Sequence, residues 1–200
     1  HHHPIANVWM HNQMINIDGE KMSKSLGNVL WAKDLIVKLG CNVYKWLMLS
    51  THYRNPLNFT DEVLKNVRKE VDKFENILKQ TSLYLQVNHV VGEEYVKETV
   101  DEMVNALEDD LNTSLALTCI LGQVKVLNQL MRTRDKDNEA ILKGYNTLIN
   151  MLDVIGFEHR VKVLSEEDIA LYNEWSLEKA NKNFEKADEL RAKLIEKGII

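Results

Sequence analysis

The chain has 200 residues, 44% hydrophobic and 28% charged with two prolines, which excludes a disordered or fibrous protein. It predicts a soluble, helix-rich molecule whose core removes about 70% of the unfolded surface from water. Apolar runs of only a few residues exclude a bilayer span or a secretory leader and point to the cytoplasm, while the net charge of -5 disfavours a polyanionic partner unless the cations cluster.

At the N-terminus, His1-His2-His3 resembles the end of an expression tag (1–3) and is set apart from the fold. Met14 to Ile17 is apolar and β-branched, and Asp18-Gly19 turns the chain, so a small β element closes here. From Trp31 the apolar period becomes helical on Leu35, Ile36 and Leu39, with Gly40 as a stop; a second helix spans Asn42 to about Ser50 on Val43, Trp46, Leu47 and Leu49. Pro56 then breaks the pattern and makes "HYRNPLNFT" a connector. Cys41 and Cys119 stand alone, with neither a CxxC pair nor flanking histidines, and read as reduced thiols with no metal-ligand role.

Thr60 is a candidate N-cap for a long helix with the stripe Val63, Val67, Val71, Phe74, Ile77, Leu78 and Leu85. A looser link through Asn88 and Gly92 leads to the stripe Val96, Val100, Met103, Val104 and Leu107. "DDLNT" ends it, with Asp109, Asp110 and Asn112 capping and turning the chain, and Asn112 or Thr113 opens a helix on Leu117, Ile120, Leu121, Val124, Leu127, Leu130 and Met131. "RTRDKDN" separates it from the stripe Ile141 to Ile155, which stops at Gly156. Four amphipathic helices with short links predict an antiparallel bundle. Ser165 caps a tail helix, Asn183 interrupts it, and Phe184, Ala187, Leu190 and Leu194 continue to Gly198. The terminal Ile199-Ile200 reads as a truncation. The fold class is therefore mainly α: a β-containing stub, a connector, a helical bundle and a shortened helical tail.

The stretch "GEKMSKSLGN" (19–28) concentrates two ammonium groups and two hydroxyls on a loop after a strand. Fixed positive charge and short donors suit a polyphosphate as charge shifts onto its bridging oxygen, and lysine's flexible stem can follow a moving phosphate. The GxxxxGK[ST] spacing of a backbone phosphate cradle is absent. For an arbitrary KxxK, solvated loop charges would be the better reading.

"KMSKS" after a strand resembles the signature of class I aminoacyl-tRNA synthetases. "VWMHNQMINIDGEKMSKSLGN", "LMLSTHYRNPLNFT", "EDDLNTSLAL" and "KADELRAKLIEKGI", in that order, make Pro4 to Ile200 similar to the C-terminal half of the cysteinyl-tRNA synthetase family. The resemblance implies the end of a catalytic domain with its KMSKS loop (4–30), a stem-contact connector (31–60), a helical bundle of the DALR anticodon-binding type (61–157) and the start of a C-terminal anticodon-recognition unit (158–200). It further implies that the parent joins cysteine to tRNA(Cys) through cysteinyl-adenylate, using ATP with magnesium, with zinc held by residues upstream of this chain.

By the same resemblance, Lys24 contacts the ATP phosphates, while Lys21 and the hydroxyls of Ser23 and Ser25 shape the loop and Met22 anchors it. His52, Tyr53 and Arg54 fall near the tRNA acceptor side, although a structural Tyr53 fits the sequence equally well. Trp9, His11 and Asn12 are expected to be core and supporting residues. Lys65, Arg68, Lys69 and Lys73 on the long helix, Arg54 before it, and Lys182, Lys186 and Arg191 in the tail are the candidate tRNA contacts, with the acidic stretch Glu93 to Asp110 facing away. The HIGH-type motif and the zinc ligands of the family are missing, so the chain is expected to be a catalytically incomplete fragment that holds no metal. The alternatives are a related ligase that joins cysteine to an amino-sugar, and a non-catalytic helical RNA-binding or scaffold module.

Overall fold

The computed structural model describes residues 5–200, and the expected tag remnant lies outside the described residues. In chain order the elements are β1 (Ile15–Ile17), β2 (Glu20–Lys21), α1 (Ala32–Leu39), α2 (Cys41–Leu49), β3 (Leu57–Phe59), α3 (Asp61–Val87), α4 (Lys97–Glu108), α5 (Thr113–Arg132), α6 (Asn138–Ile155), α7 (Glu166–Ala180) and α8 (Phe184–Glu196). The chain is mainly helical with a small sheet, as the apolar periods predict. It groups into two compact units, the chain up to Asp72 with Asp101–Leu121, and Lys73–Val100 with Gly122–Ile200. The grouping divides α3, α4 and α5 internally.

In the first unit the strands lie in the order β2-β1-β3. β1 and β2 form an antiparallel hairpin, Asn16 opposite Lys21 and Ile17 opposite Glu20. Its two-residue turn has φ of 49° at Asp18 and 84° at Gly19, the doubly left-handed geometry whose twist matches a hairpin and which Asp-Gly favours. β3 pairs with β1 in parallel, Ile15 beside Leu57 and Ile17 beside Phe59. This strand falls inside the stretch read from sequence as connector. Leu57 and Phe59 point into the core while Asn58 between them is exposed, the alternation a short strand needs to close over an apolar layer.

Gly40, with φ of 87°, ends α1 by donating its N–H to Ile36 O and allows α2 to start at once. Val43, Trp46 and Leu47 of α2 are buried. Thr60 caps α3, its Oγ1 accepting from Val63 N at 3.2 Å, and Asn112 caps α5, its Oδ1 accepting from Leu115 N at 3.1 Å. Met103 and Ala106 of α4, with Ala116, Leu117 and Ile120 of α5, complete this core.

In the second unit Phe74, Ile77 and Leu78 of α3 share the core with Leu148, Met151 and Leu152 of α6, and the Phe74 and Phe157 rings lie 5.6 Å apart. At Gly144 a Cβ would come within 3.2 Å of Leu127 Cδ1, and Gln123 Nε2 donates to the Gly144 carbonyl at 2.8 Å, so α5 and α6 meet closely there. The extended link after α6 is pinned by Gln86, whose Oε1 accepts from Leu164 N at 2.7 Å and whose Nε2 donates to Lys162 O at 3.0 Å. Ser165 caps α7 through Asp168 N at 3.2 Å. α7 and α8 form a helical hairpin, closed where Asp168 accepts from Lys197 Nζ at 2.7 Å with Lys162 Nζ at 3.4 Å.

Among the described residues α5 is long and apolar enough to cross a membrane by length and composition, which corrects the expectation that no segment is. Counting unbroken apolar runs overlooks it because Thr118, Gly122 and Gln123 interrupt the run without adding charge. Its stripe Ala116, Leu117, Ile120, Val124 and Leu127 is buried by protein, as in a core helix.

Candidate functional site

The hairpin delivers Lys21 to the end of β2, and the chain then folds on itself through residues 22–28. Asn28 fixes both ends of this loop: its Oδ1 accepts from Ser23 N at 2.8 Å and its Nδ2 donates to Lys21 O at 3.3 Å. Within the ring, Ser23 Oγ accepts from Leu26 N at 3.3 Å and lies 3.2 Å from Ser25 Oγ, while Gly27, with φ of 68°, donates to Lys24 O at 3.2 Å. The floor is fixed as well, since Gly19 N donates to Asn58 Oδ1 at 2.9 Å and Met22 N to Ile15 O at 3.3 Å. Backbone and hydroxyls are thus occupied in making the turn.

Lys21 and Lys24 are different. Both are exposed, and neither ammonium group has a protein partner among the described residues. Met22 points the other way and lines a cavity of about 190 Å³ with Ile15, Leu30, Leu35, Tyr44 and Phe59. The loop is therefore seated by an apolar residue between two free cations, an arrangement suited to an anion arriving from solvent.

The connector holds a second cluster. Arg54 grips Asp110 with two bonds, Nε to Oδ2 at 2.7 Å and Nη2 to Oδ1 at 3.0 Å, and Tyr53 Oη donates to Oδ1 at 2.6 Å. His52 Nε2 lies 2.9 Å from Asp110 O, its ring stacked 4.8 Å from Tyr53. The bonds from Arg54 and then Tyr53 hold the Asp110 carboxyl well below the usual carboxylate range, and the same carboxylate raises the Tyr53 phenol. Asp110 and the following Leu111 both have φ of 53°, so the backbone is bent to aim this carboxylate. Asp110 does more than the capping and turning expected of it. It occupies Arg54, one of the candidate tRNA contacts.

The other candidates divide in the same way. Arg68 donates to the Leu39 carbonyl, and Lys186 is held by Glu174 and Glu178, each at 2.8 Å, which raises its pKa further. The side chains of Lys65, Lys69, Lys182 and Arg191 are exposed and make no hydrogen bond or ion pair among the described residues. Lys73 lies on the same helix one turn after Lys69. Within the acidic stretch Glu94 bonds Lys143 at 3.1 Å and Asp110 pairs with Arg54.

Trp9, expected as core support, is 68% exposed, and His11 and Asn12 are exposed too. Their segment has no regular structure and is tied down by Gln13 N donating to Tyr53 O at 2.9 Å. Sequence reading missed Asn28 and Asn58 as loop clamps; the only available signal was an asparagine directly after the loop glycine. No group of three or more His, Cys, Asp or Glu that could hold a metal occurs among the described residues, and Cys41 and Cys119 are separate half-buried thiols. Burial raises the Cys119 pKa.

Comparison with known proteins bears on the same regions. The family model for the catalytic domain of class I (C) tRNA synthetases matches residues 1–69, and the DALR domain matches residues 102–158. Cysteine–tRNA ligase of Mycoplasma mycoides subsp. mycoides SC is 36% identical, the alignment covering 98% of this chain and 44% of that protein. The ligases of Acholeplasma laidlawii (32% identical, 100% of this chain) and Halalkalibacterium halodurans (34%, 98%) are each covered over 44% of their length. The chain therefore spans less than half the length of these curated relatives.

Proposed function

This chain belongs to the class I aminoacyl-tRNA synthetases of the cysteinyl branch, and we propose that it carries the KMSKS portion of a site that activates cysteine with ATP and passes it to tRNA(Cys). The observation that carries the reading is the clamped loop with Lys21 and Lys24 free at its surface, inside the segment that matches the catalytic-domain family. Activation attaches the cysteine carboxylate to the α-phosphorus of ATP and releases pyrophosphate, so negative charge grows on the oxygen that bridges the α- and β-phosphates. Lys24, near the tip of the loop, is the group assigned to that charge; Lys21 adds to the field, and Ser23, Ser25 and Met22 keep the loop in shape. The rigid turn fixes where the ammonium stems start, while the stems themselves adapt to the departing pyrophosphate.

We assign residues 4–30 to the end of the catalytic domain, 31–60 to a stem-contact connector, 61–157 to the helical bundle and 158–200 to the start of an anticodon-recognition unit. Lys65, Lys69, Lys182 and Arg191 are the preferred tRNA contacts, with Lys73 a further candidate on the same helix as Lys65 and Lys69. Arg54, Arg68 and Lys186 can serve only by exchanging a present bond for a phosphate. Magnesium would enter with the ATP. Among the described residues no group of side chains makes a zinc site.

The test is a chimera in which this chain replaces the corresponding stretch of the Mycoplasma mycoides relative. Cysteine-dependent ATP–pyrophosphate exchange followed by charging of tRNA(Cys) is the expected outcome. Exchange with transfer to an amino-sugar and none to tRNA would favour the other cysteine-activating ligase, and a chimera that folds but shows no exchange would refute the assignment.

A further inference from the structure

We propose that Asp110 is a positioning residue for the lysine loop: its grip on Tyr53 and Arg54 fixes the connector, and the connector sets where the β1–β2 hairpin, and with it Lys24, stands. The proposal rests on the reading of Lys24 as a group that meets the ATP phosphates, and it adds a residue far along the chain on which that meeting depends. Asp110 lies in the turn between α4 and α5, inside the stretch that matches the DALR domain, whereas Tyr53 and Arg54 lie inside the stretch that matches the catalytic domain. Asp110 and Leu111 both stand at φ of 53°. Two successive residues with side chains in the left-handed region cost the backbone energy, and such a conformation persists where the surrounding contacts over-determine it.

Exposed ion pairs contribute little by themselves, but a two-pronged guanidinium–carboxylate pair fixes direction as well as distance. Arg54 takes both carboxylate oxygens of Asp110, and Tyr53 Oη shares one of them. Two neighbouring contacts act in the same sense: His52 Nε2 lies 2.9 Å from Asp110 O, and Ser114 Oγ donates to Ser50 O at 3.1 Å. The turn and the start of α5 therefore hold the connector along its length from Ser50 to Arg54.

From the connector the constraint passes through main chain. Tyr53 O accepts from Gln13 N at 2.9 Å, two residues before β1, and Leu57 N donates to Met14 O at 3.2 Å. Pro56 removes a soft torsion between Arg54 and β3, so that strand follows the connector closely. β3 then presents Asn58 Oδ1 to Gly19 N at 2.9 Å and Phe59 O to Asp18 N at 3.1 Å. Both turn residues of the hairpin are thus held by the strand that begins three residues after Arg54, and Lys21 and Lys24 follow directly from that hairpin. An ammonium group serves a transition state only if its stem starts in the right place, and a misplacement of about 1 Å can slow a reaction about a hundredfold.

The test is Asp110→Asn, which keeps the shape of the side chain and removes its charge, with Tyr53→Phe as a milder variant that deletes one hydroxyl and leaves the Arg54 pair. In hydrogen-exchange measurements on this chain, Asp110→Asn should speed exchange at the Gln13 and Gly19 amides about tenfold, and Tyr53→Phe should act in the same direction, while the amide of buried Leu148 keeps its protection. In the chimera, Asp110→Asn should lower kcat for cysteine-dependent pyrophosphate exchange about tenfold and leave KM for cysteine within about twofold, as when a contact made in the transition state is lost. Combined with Lys24→Ala it should slow the reaction less than about twofold further, because the group it positions is gone. A clamp with a purely structural role would lower the rate equally on both backgrounds. Unaltered protection at Gln13 and Gly19, an unaltered kcat, or a full tenfold loss on the Lys24→Ala background each overturns the proposal; should Asp110→Asn fail to fold, the Tyr53→Phe protection decides. A slow Lys24→Ala beside an unimpaired Asp110→Asn removes this proposal alone, whereas Lys24→Ala at full rate removes the earlier reading of Lys24 and this proposal with it.

Discussion

The Lys24 ammonium group has no partner among the described residues, so its replacement disturbs little besides its charge. Lys24→Ala in the chimera should slow cysteine-dependent pyrophosphate exchange about a hundredfold to a thousandfold, the usual cost of losing one contact that strengthens in the transition state. Cysteine binding, measured by calorimetry without ATP, should change less than about twofold; an unaltered exchange rate would remove Lys24 from the reaction. Asn28 acts at one remove, since its amide joins Lys21 O to Ser23 N and touches no phosphate by itself. Asn28→Ala should raise amide hydrogen exchange at Ser23 by about tenfold, the equivalent of one hydrogen bond. Unchanged protection there would mean that Ser23 Oγ and Gly27 hold the turn unaided. "KMSKS" was legible because it is a string of residue types. The Asn28 and Asn58 clamps were not, because an amide's partners are set by the turn it closes and not by its neighbours in sequence.

Helices are legible in the sequence where a cap and an apolar period agree. Thr60, Asn112 and Ser165 each sit before a stripe and each accepts the expected N–H. Ser165→Ala should cost about 1 kcal/mol in a urea melt, and Ser165→Asp should recover most of it. β3 escaped the reading because three residues cannot display a period, and Leu57–Phe59 becomes a strand only by pairing with β1. The role of Asp110 is hidden in the sequence for a related reason: its partners lie more than fifty positions away in the connector. The hairpin of α7 and α8 also has a pH signature. The bond from Lys197, and the charge of Lys162, lower the pKa of Asp168, and Asp168 raises that of Lys197. The Asp168 contribution is therefore complete above the ordinary carboxylate range and fades as acid approaches its lowered value; the Lys197 contribution is complete below the ordinary lysine range and fades in alkali. The urea midpoint of the wild type should exceed that of Asp168→Asn by a constant amount across neutral pH and converge on it at both extremes. A difference that is flat through acid would show the pair to be idle.

For the whole molecule, a net charge of -5 means that any affinity for tRNA comes from where the cations are. The side chains of Lys65 and Lys69 have no partner among the described residues, whereas Arg68 is spent on the Leu39 carbonyl. Lys65→Glu with Lys69→Glu should therefore weaken tRNA binding at least several-fold at low salt and flatten its salt dependence, while Lys136→Glu should change it less than about twofold. Equal binding by both variants in a filter assay would remove α3 from the contact surface. The mixed outcome for Trp9 and Arg54 has one cause: sequence shows what a side chain is able to do, and only the fold shows whether something already uses it. The parallel pairing of β1 with β3 also sets an order of events in folding. The Asp18-Gly19 hairpin can form within about microseconds from neighbouring residues, but its floor waits until about forty intervening residues, α1 and α2 included, have been brought round to deliver Leu57 and Phe59. Until then Gly19 N lacks Asn58 and Met22 lacks Phe59, so the lysine loop acquires its fixed shape late, after the helices that lie between its two supports.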